Sequence, residues 1–122
     1  MPAIPPFLLK KLYVKGSLRT EEDGFALDLQ NVIAPGTITA FIGLDIDAQA
    51  IDLAQITVNP PSGNPRPMGE ISAQAALLFP VGAKVTLRVS GKPLEPGPHE
   101  LIIRVVVQEV GPLDIPISDT LA

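Results

Sequence analysis

The chain holds a single histidine, His99, and no cysteine. An imidazole is the side chain best suited to move a proton near neutral pH, so general-base chemistry would have to start at His99. It stands directly behind Pro98 at the entry to an apolar run, where a turn histidine is the plainer reading. A nucleophile is harder to place. A serine triad needs a base and a shaped oxyanion site, and Ser17, Ser62, Ser72, Ser90 and Ser118 lie in nothing that resembles a nucleophile elbow. Asp45, Asp47 and Asp52 are the remaining candidates. Asp45 and Asp47 fall on the same side of a strand, and with Asp52 they offer oxygen ligands to a hard cation. A calcium loop needs more donors at a set spacing, and a glycosidase pair needs a cleft between its carboxylates. A solvated acidic strand face is the plainer reading. Gly24, Gly36, Gly43 and Gly63 are isolated and precede no helical pattern, which excludes a phosphate-binding loop. No catalytic or cofactor-binding residue is assigned, and a metal site rests on the three aspartates alone.

The elements that must position these groups are strands. With 122 residues the chain matches one domain, and its 46% hydrophobic content is ample for a core. Aromatic residues are only 4% and tryptophan is absent, so that core is built from Val, Ile, Leu and Ala. Fourteen prolines and ten glycines, without a short period, read as frequent turns between apolar strands. Leu12, Val14, Gly16 and Leu18 alternate with polar residues, which predicts a first strand with a bulge at Gly16. A turn over residues 20–24, with Gly24 in a positive-φ position, leads to Phe25, Leu27 and Leu29 on one face of a second strand. A long strand from Thr37 to Asp47 places Ile38, Ala40, Ile42, Leu44 and Ile46 on one face and Thr39, Phe41 and Gly43 on the other.

Further strands are expected over residues 55–59, 83–90 and 100–110, with a final one through Leu113, Ile115 and Ile117. Residues 59–69 hold four prolines and read as an irregular loop. The stretch from Glu70 to Leu78 fits either a helical turn or extended chain. The run from Glu100 to Val110 is apolar on both faces, which predicts a central strand, and Pro116 suits an edge. These signals predict an all-β, single-domain antiparallel sandwich of seven to eight strands, immunoglobulin-like or jelly-roll-like, over residues 11–120 behind a proline-rich arm over residues 1–10.

Net charge is −4, and no basic, aromatic-studded face appears, which argues against nucleic acid as a partner. Charge is unevenly placed. Residues 1–20 carry only positive charges and residues 21–52 only negative ones, an arrangement that fits two solvated faces or complementarity between copies. The lysines follow the apolar run of the N-terminus, the reverse of a secretory signal, and no run is long enough to span a bilayer. A cytoplasmic protein is the expectation. A contact surface is predicted from the outer face of the late strand (Ile102 and Val106), from Phe41, and from the stiff arm residues Pro5, Pro6 and Phe7. A homo-oligomer or a complex with a larger subunit would use it.

The order of segments also resembles a known family. Leu12-Tyr-Val-Lys-Gly-Ser-Leu18, Gly24-Phe25 at a strand start, the long strand ending Leu44-Asp-Ile-Asp47 and the turn Leu94-Glu-Pro-Gly-Pro-His99 are similar in arrangement to the small β subunit of bacterial C-glycoside deglycosidases. The resemblance implies a β-sandwich subunit that associates with a larger metal-dependent barrel holding most of the catalytic groups. The chain lacks an aromatic-Arg-Gly stretch near Ala34-Pro35-Gly36 and has Asp47-Ala48 in place of Asp-Gly, so no residue is carried over. The function expected is that of a non-catalytic subunit working through protein contacts. A carbohydrate- or ligand-binding module, using Phe7, Tyr13, Phe25, Phe41 or Phe79 as an aromatic platform, is the alternative. A small enzyme around His99, Asp45 and Asp47 is the third class.

Overall fold

The computed structural model of the chain describes residues 5–61 and 63–121. The described chain opens with a short helix, α1 (Pro6–Leu9), that runs into a 3₁₀ turn at Lys10–Leu12. Ten strands follow: β1 (Arg19–Glu21), β2 (Gly24–Gln30), β3 (Gly36–Ile46), β4 (Gln49–Ile51), β5 (Ile56–Asn59), β6 (Arg66–Pro67), β7 (Leu77–Phe79), β8 (Lys84–Val89), β9 (Gly97–Val107) and β10 (Gly111–Leu121). They form two antiparallel sheets, ordered β1-β2-β8-β5-β6 and β10-β9-β3-β4, with β7 pairing β3 beside β4. The all-β sandwich follows from the alternation. Val85, Leu87 and Val89 on β8 face Leu29, Leu27 and Phe25 on β2, and all six are buried. Leu101, Ile103 and Val105 of β9 supply the opposing layer.

Several local expectations change. Leu12 to Arg19 is not one strand. Leu12 closes the 3₁₀ turn, Tyr13 makes a single bridge to Leu29, and the chain turns at Gly16 with φ +85° before β1 begins. Gly24 is required, but for space rather than for a positive φ. A Cβ there would stand 1.8 Å from the Val89 carbonyl oxygen, so the β2–β8 ladder passes too close for any side chain. The ambiguous stretch after Met68 forms no α-helix. It makes a 3₁₀ turn (Met68–Glu70), a reverse turn in which the Ala75 N–H donates to the Ser72 carbonyl, and then β7.

The largest departure concerns β3. Its pairing with β9 slips by one residue between Ile38 and Ala40 and again between Phe41 and Gly43. Each slip inserts an extra residue on β3, which re-aims the following side chains. The inward residues become Ile38, Phe41, Leu44 and Ile46, which face Val107, Val105, Ile103 and Leu101. Phe41, expected on the outer face, is only 5% exposed, and Ile42, expected inside, is 55% exposed. The aromatic ring is thereby gained by a core otherwise poor in large side chains. The late strand β9 is central, between β10 and β3, and β10 with Pro112 and Pro116 lies at the edge, as its missing N–H donors require.

Candidate functional site

His99 and Asp47 do meet. The β3–β4 hairpin turns at Asp47 and Ala48, which both adopt positive φ (+48° and +68°). That conformation matches the twist of the flanking strands but is normally left to Asn or Gly. It directs the Asp47 carboxylate back over the start of β9. There Asp47 Oδ2 lies 2.7 Å from His99 Nδ1, and Oδ1 accepts the Glu100 N–H at 3.0 Å. The other ring nitrogen, Nε2, lies 2.7 Å from the Glu95 carbonyl oxygen. Both nitrogens therefore face acceptors, which favours the doubly protonated ring. The Glu95 carbonyl, and then the Asp47 carboxylate, hold the His99 pKa above its ordinary value. The Glu100 amide and His99 hold Asp47 below its own. A cationic imidazole with both N–H groups engaged has no lone pair to offer a substrate, and the cluster works as a clip between two turns.

The other aspartates are elsewhere. Asp45 lies on the outer face of β3, where its Oδ2 is 2.8 Å from Arg104 Nη1. Asp52 caps the 3₁₀ turn at Leu53–Gln55, accepting the Ala54 N–H at 3.0 Å. The three carboxylates thus do not converge, because the hairpin reverses the chain between Asp47 and Asp52. Among the described residues no group of three or more His, Asp or Glu side chains stands close enough to share a cation.

The aromatic platform is not assembled either. Tyr13, Phe25, Phe41 and Phe79 are buried, and Phe7 alone among the five is exposed, at 64%. Tyr13 instead anchors the N-terminal segment. Its hydroxyl donates to Asp119 and accepts the Leu18 N–H at 3.0 Å. Burial and then the Asp119 carboxylate push its pKa up to about 12.

Of the expected contact residues, Pro5 is exposed and Pro6 opens α1, so residues 6–9 coil into a helical turn against β10 rather than extending as an arm. Residues 1–4 of that arm lie outside the described residues. Leu9 is buried in the core. Ile102 stays at the surface at 36% exposure, and Val106 is half-buried beside it on β9. Pro116 and Pro112 pair with these two residues from β10, and Ile42 is exposed on the neighbouring β3. The outer face of the β10-β9-β3 sheet thus mixes these apolar groups with charged ones: Glu100, Arg104 and Asp114 share the face, and the Arg104–Asp45 ion pair crosses it. A groove of about 580 Å³ runs along it, with Lys10 and Lys15 as well as Asp45 and Glu100 in its walls. The basic N-terminal segment and the acidic middle segment therefore meet within one chain.

Asn31 has a role that its place in the sequence does not reveal. It is the one buried polar side chain among the described residues, at 3% exposure. Its Nδ2 donates to the carbonyls of Ala34 (2.7 Å) and Phe79 (2.6 Å), and its Oδ1 accepts the Ile33 N–H at 3.0 Å. A lone Asn between β2 and the Pro35-Gly36 break was the available signal. Only the return of β7 to this corner shows why an amide is needed there.

No helix among the described residues is long and apolar enough to cross a membrane. No curated protein matches the chain. A family model described as hydroxymethylglutaryl-CoA reductase, N-terminal domain, matches residues 8–122, from α1 through β10, and the chain belongs to that family.

Proposed function

We propose that this chain is a non-catalytic accessory module of a larger enzyme and that it works by docking the outer face of its β10-β9-β3 sheet on a catalytic polypeptide. The observation that carries the reading is how the polar groups are used. His99, Asp47, Asp52 and Tyr13 are all engaged in holding turns, while Ile42 and Ile102 are left apolar at the surface. A sheet face with exposed aliphatic groups gains by being covered. The family description supports an enzyme as the setting, since it names the N-terminal domain of a reductase. The resemblance in segment order to the deglycosidase small subunit would imply the same division of labour, a sandwich beside a larger catalytic partner, although Leu12 to Leu18 does not form the opening strand of that pattern. Self-assembly through the same face is the second reading.

The test pairs an activity assay with a binding assay. The purified chain is expected to leave hydroxymethylglutaryl-CoA unreduced in the presence of a reduced nicotinamide cofactor. It is expected to bind the catalytic reductase polypeptide of the same cells in biolayer interferometry, and Ile42→Lys with Ile102→Lys should abolish that binding without unfolding the sandwich. A dimer in light scattering that these substitutions disperse would assign the face to self-assembly. Turnover by the chain alone, or the absence of both kinds of association, overturns the proposal.

A further inference from the structure

At the end of the sandwich where β2 passes into β3, the two sheets do not close on each other. A cavity of about 130 Å³ opens there, walled chiefly by Leu29, Ile38, Phe79, Val105, Val107 and Leu113. Small side chains set its size. Gly36 lines it with no side chain at all, and a Cβ added there would come no nearer than 3.6 Å to Val107 Cγ1. The polar groups at the mouth are already satisfied. Asn31 spends its amide on the Ala34, Ile33 and Phe79 backbone, and the Glu109 carboxylate accepts from the N–H and the hydroxyl of Thr37. No buried side-chain nitrogen or oxygen among the described residues lacks a partner. Water in such a space would find almost nothing to bond, and a comparable cavity of about 150 Å³ lined by Leu, Ile and Phe in another protein stays dry and takes up benzene.

We infer that this open end is a binding pocket for a neutral apolar group of about benzene size. The mouth decides against an anionic ligand. The lining holds no cationic side chain to pair with a carboxylate, whose charge would lose its hydration among apolar groups, and Glu109 at the rim is itself acidic. The pocket lies between the sheets and not on the outer face of β9, so it stands apart from the docking reading above.

Methyl NMR of the full chain tests this. Benzene should shift the methyl signals of Leu29, Ile38, Val105 and Leu113 and leave Ile46, at the far end of β3, in place. At ten times its Kd it should raise Tm by about 5 °C. Hexanol should bind more tightly than hexanoate. Equal binding of the two would overturn the selection for neutral ligands. Val107→Phe, which fills the cavity, should remove binding, and Leu113→Phe serves the same purpose if the first variant does not fold. Shifts spread equally to Ile46, retention of binding by the filled variant, or no response up to the solubility limit of benzene would overturn the pocket.

Discussion

Replacement of Asn31 by Ala isolates the corner that joins the sheets. The side chain is 3% exposed and makes three hydrogen bonds to backbone, none of which an Ala can make. Their loss is unequal. The Phe79 carbonyl is buried and left unpaired on that side, which costs about 1–3 kcal/mol. The Ile33 N–H is half-buried and costs about 1 kcal/mol, whereas Ala34 is exposed and its carbonyl turns to water at little cost. The expected loss is about 3 kcal/mol, a large share of a marginal stability. Unfolding entropy scales with length at about 2.1 cal/mol/K per residue, so for this chain the loss corresponds to a Tm lower by about 12 °C. Differential scanning calorimetry reads the shift and urea titration reads the free energy. Asn31→Asp sharpens the test. It keeps the acceptor for Ile33 but turns a carboxylate oxygen toward two carbonyls now 2.6 and 2.7 Å from the amide nitrogen, so it should cost at least as much as Ala. A loss below about 1 kcal/mol for Asn31→Ala, or a wild-type Tm for Asn31→Asp, would refute the reasoning.

Two further outcomes follow from the hairpin and its clip. Ala48→Gly relieves a non-glycine residue at φ +68° and should raise stability by about 1 kcal/mol, seen as a higher urea midpoint at unchanged slope. Around neutrality, above the range in which Asp47 titrates, the clip makes stability fall as pH rises. His99 has its pKa raised in the folded chain, so its contribution is complete below its ordinary value of 6.5 and is lost as pH rises through the folded value. Asp47, Glu95 and Lys92 are the charged neighbours, and half of the Asp47 side chain is exposed, so the change is about 1 kcal/mol or less. Urea titrations on either side of neutrality should show it, and His99→Gln, which removes the chain's only histidine, should flatten the profile.

What the sequence determined by itself was the part of the protein that depends on neighbours along the chain. Alternation at Val85, Leu87 and Val89 fixes which face of β8 is wet, because side chains change sides at every residue. Aliphatic residues on both faces of β9 marked it as central, and Pro116 marked an edge, because one pattern reports double coverage and the other a missing donor. The tertiary structure decided whatever depended on residues far apart in the chain. Two bulges opposite β9 turned Phe41 inward and Ile42 outward, and no local pattern records which strand will lie alongside or where its register slips. Gly24 looked like a turn glycine and is one by sequence position, yet the constraint on it comes from Val89, more than sixty residues later. The candidate groups for chemistry were all legible as residue types. Their roles were not, because the same imidazole is a base or a clip according to what meets its second nitrogen, and the Glu95 carbonyl meets it only once the chain has folded.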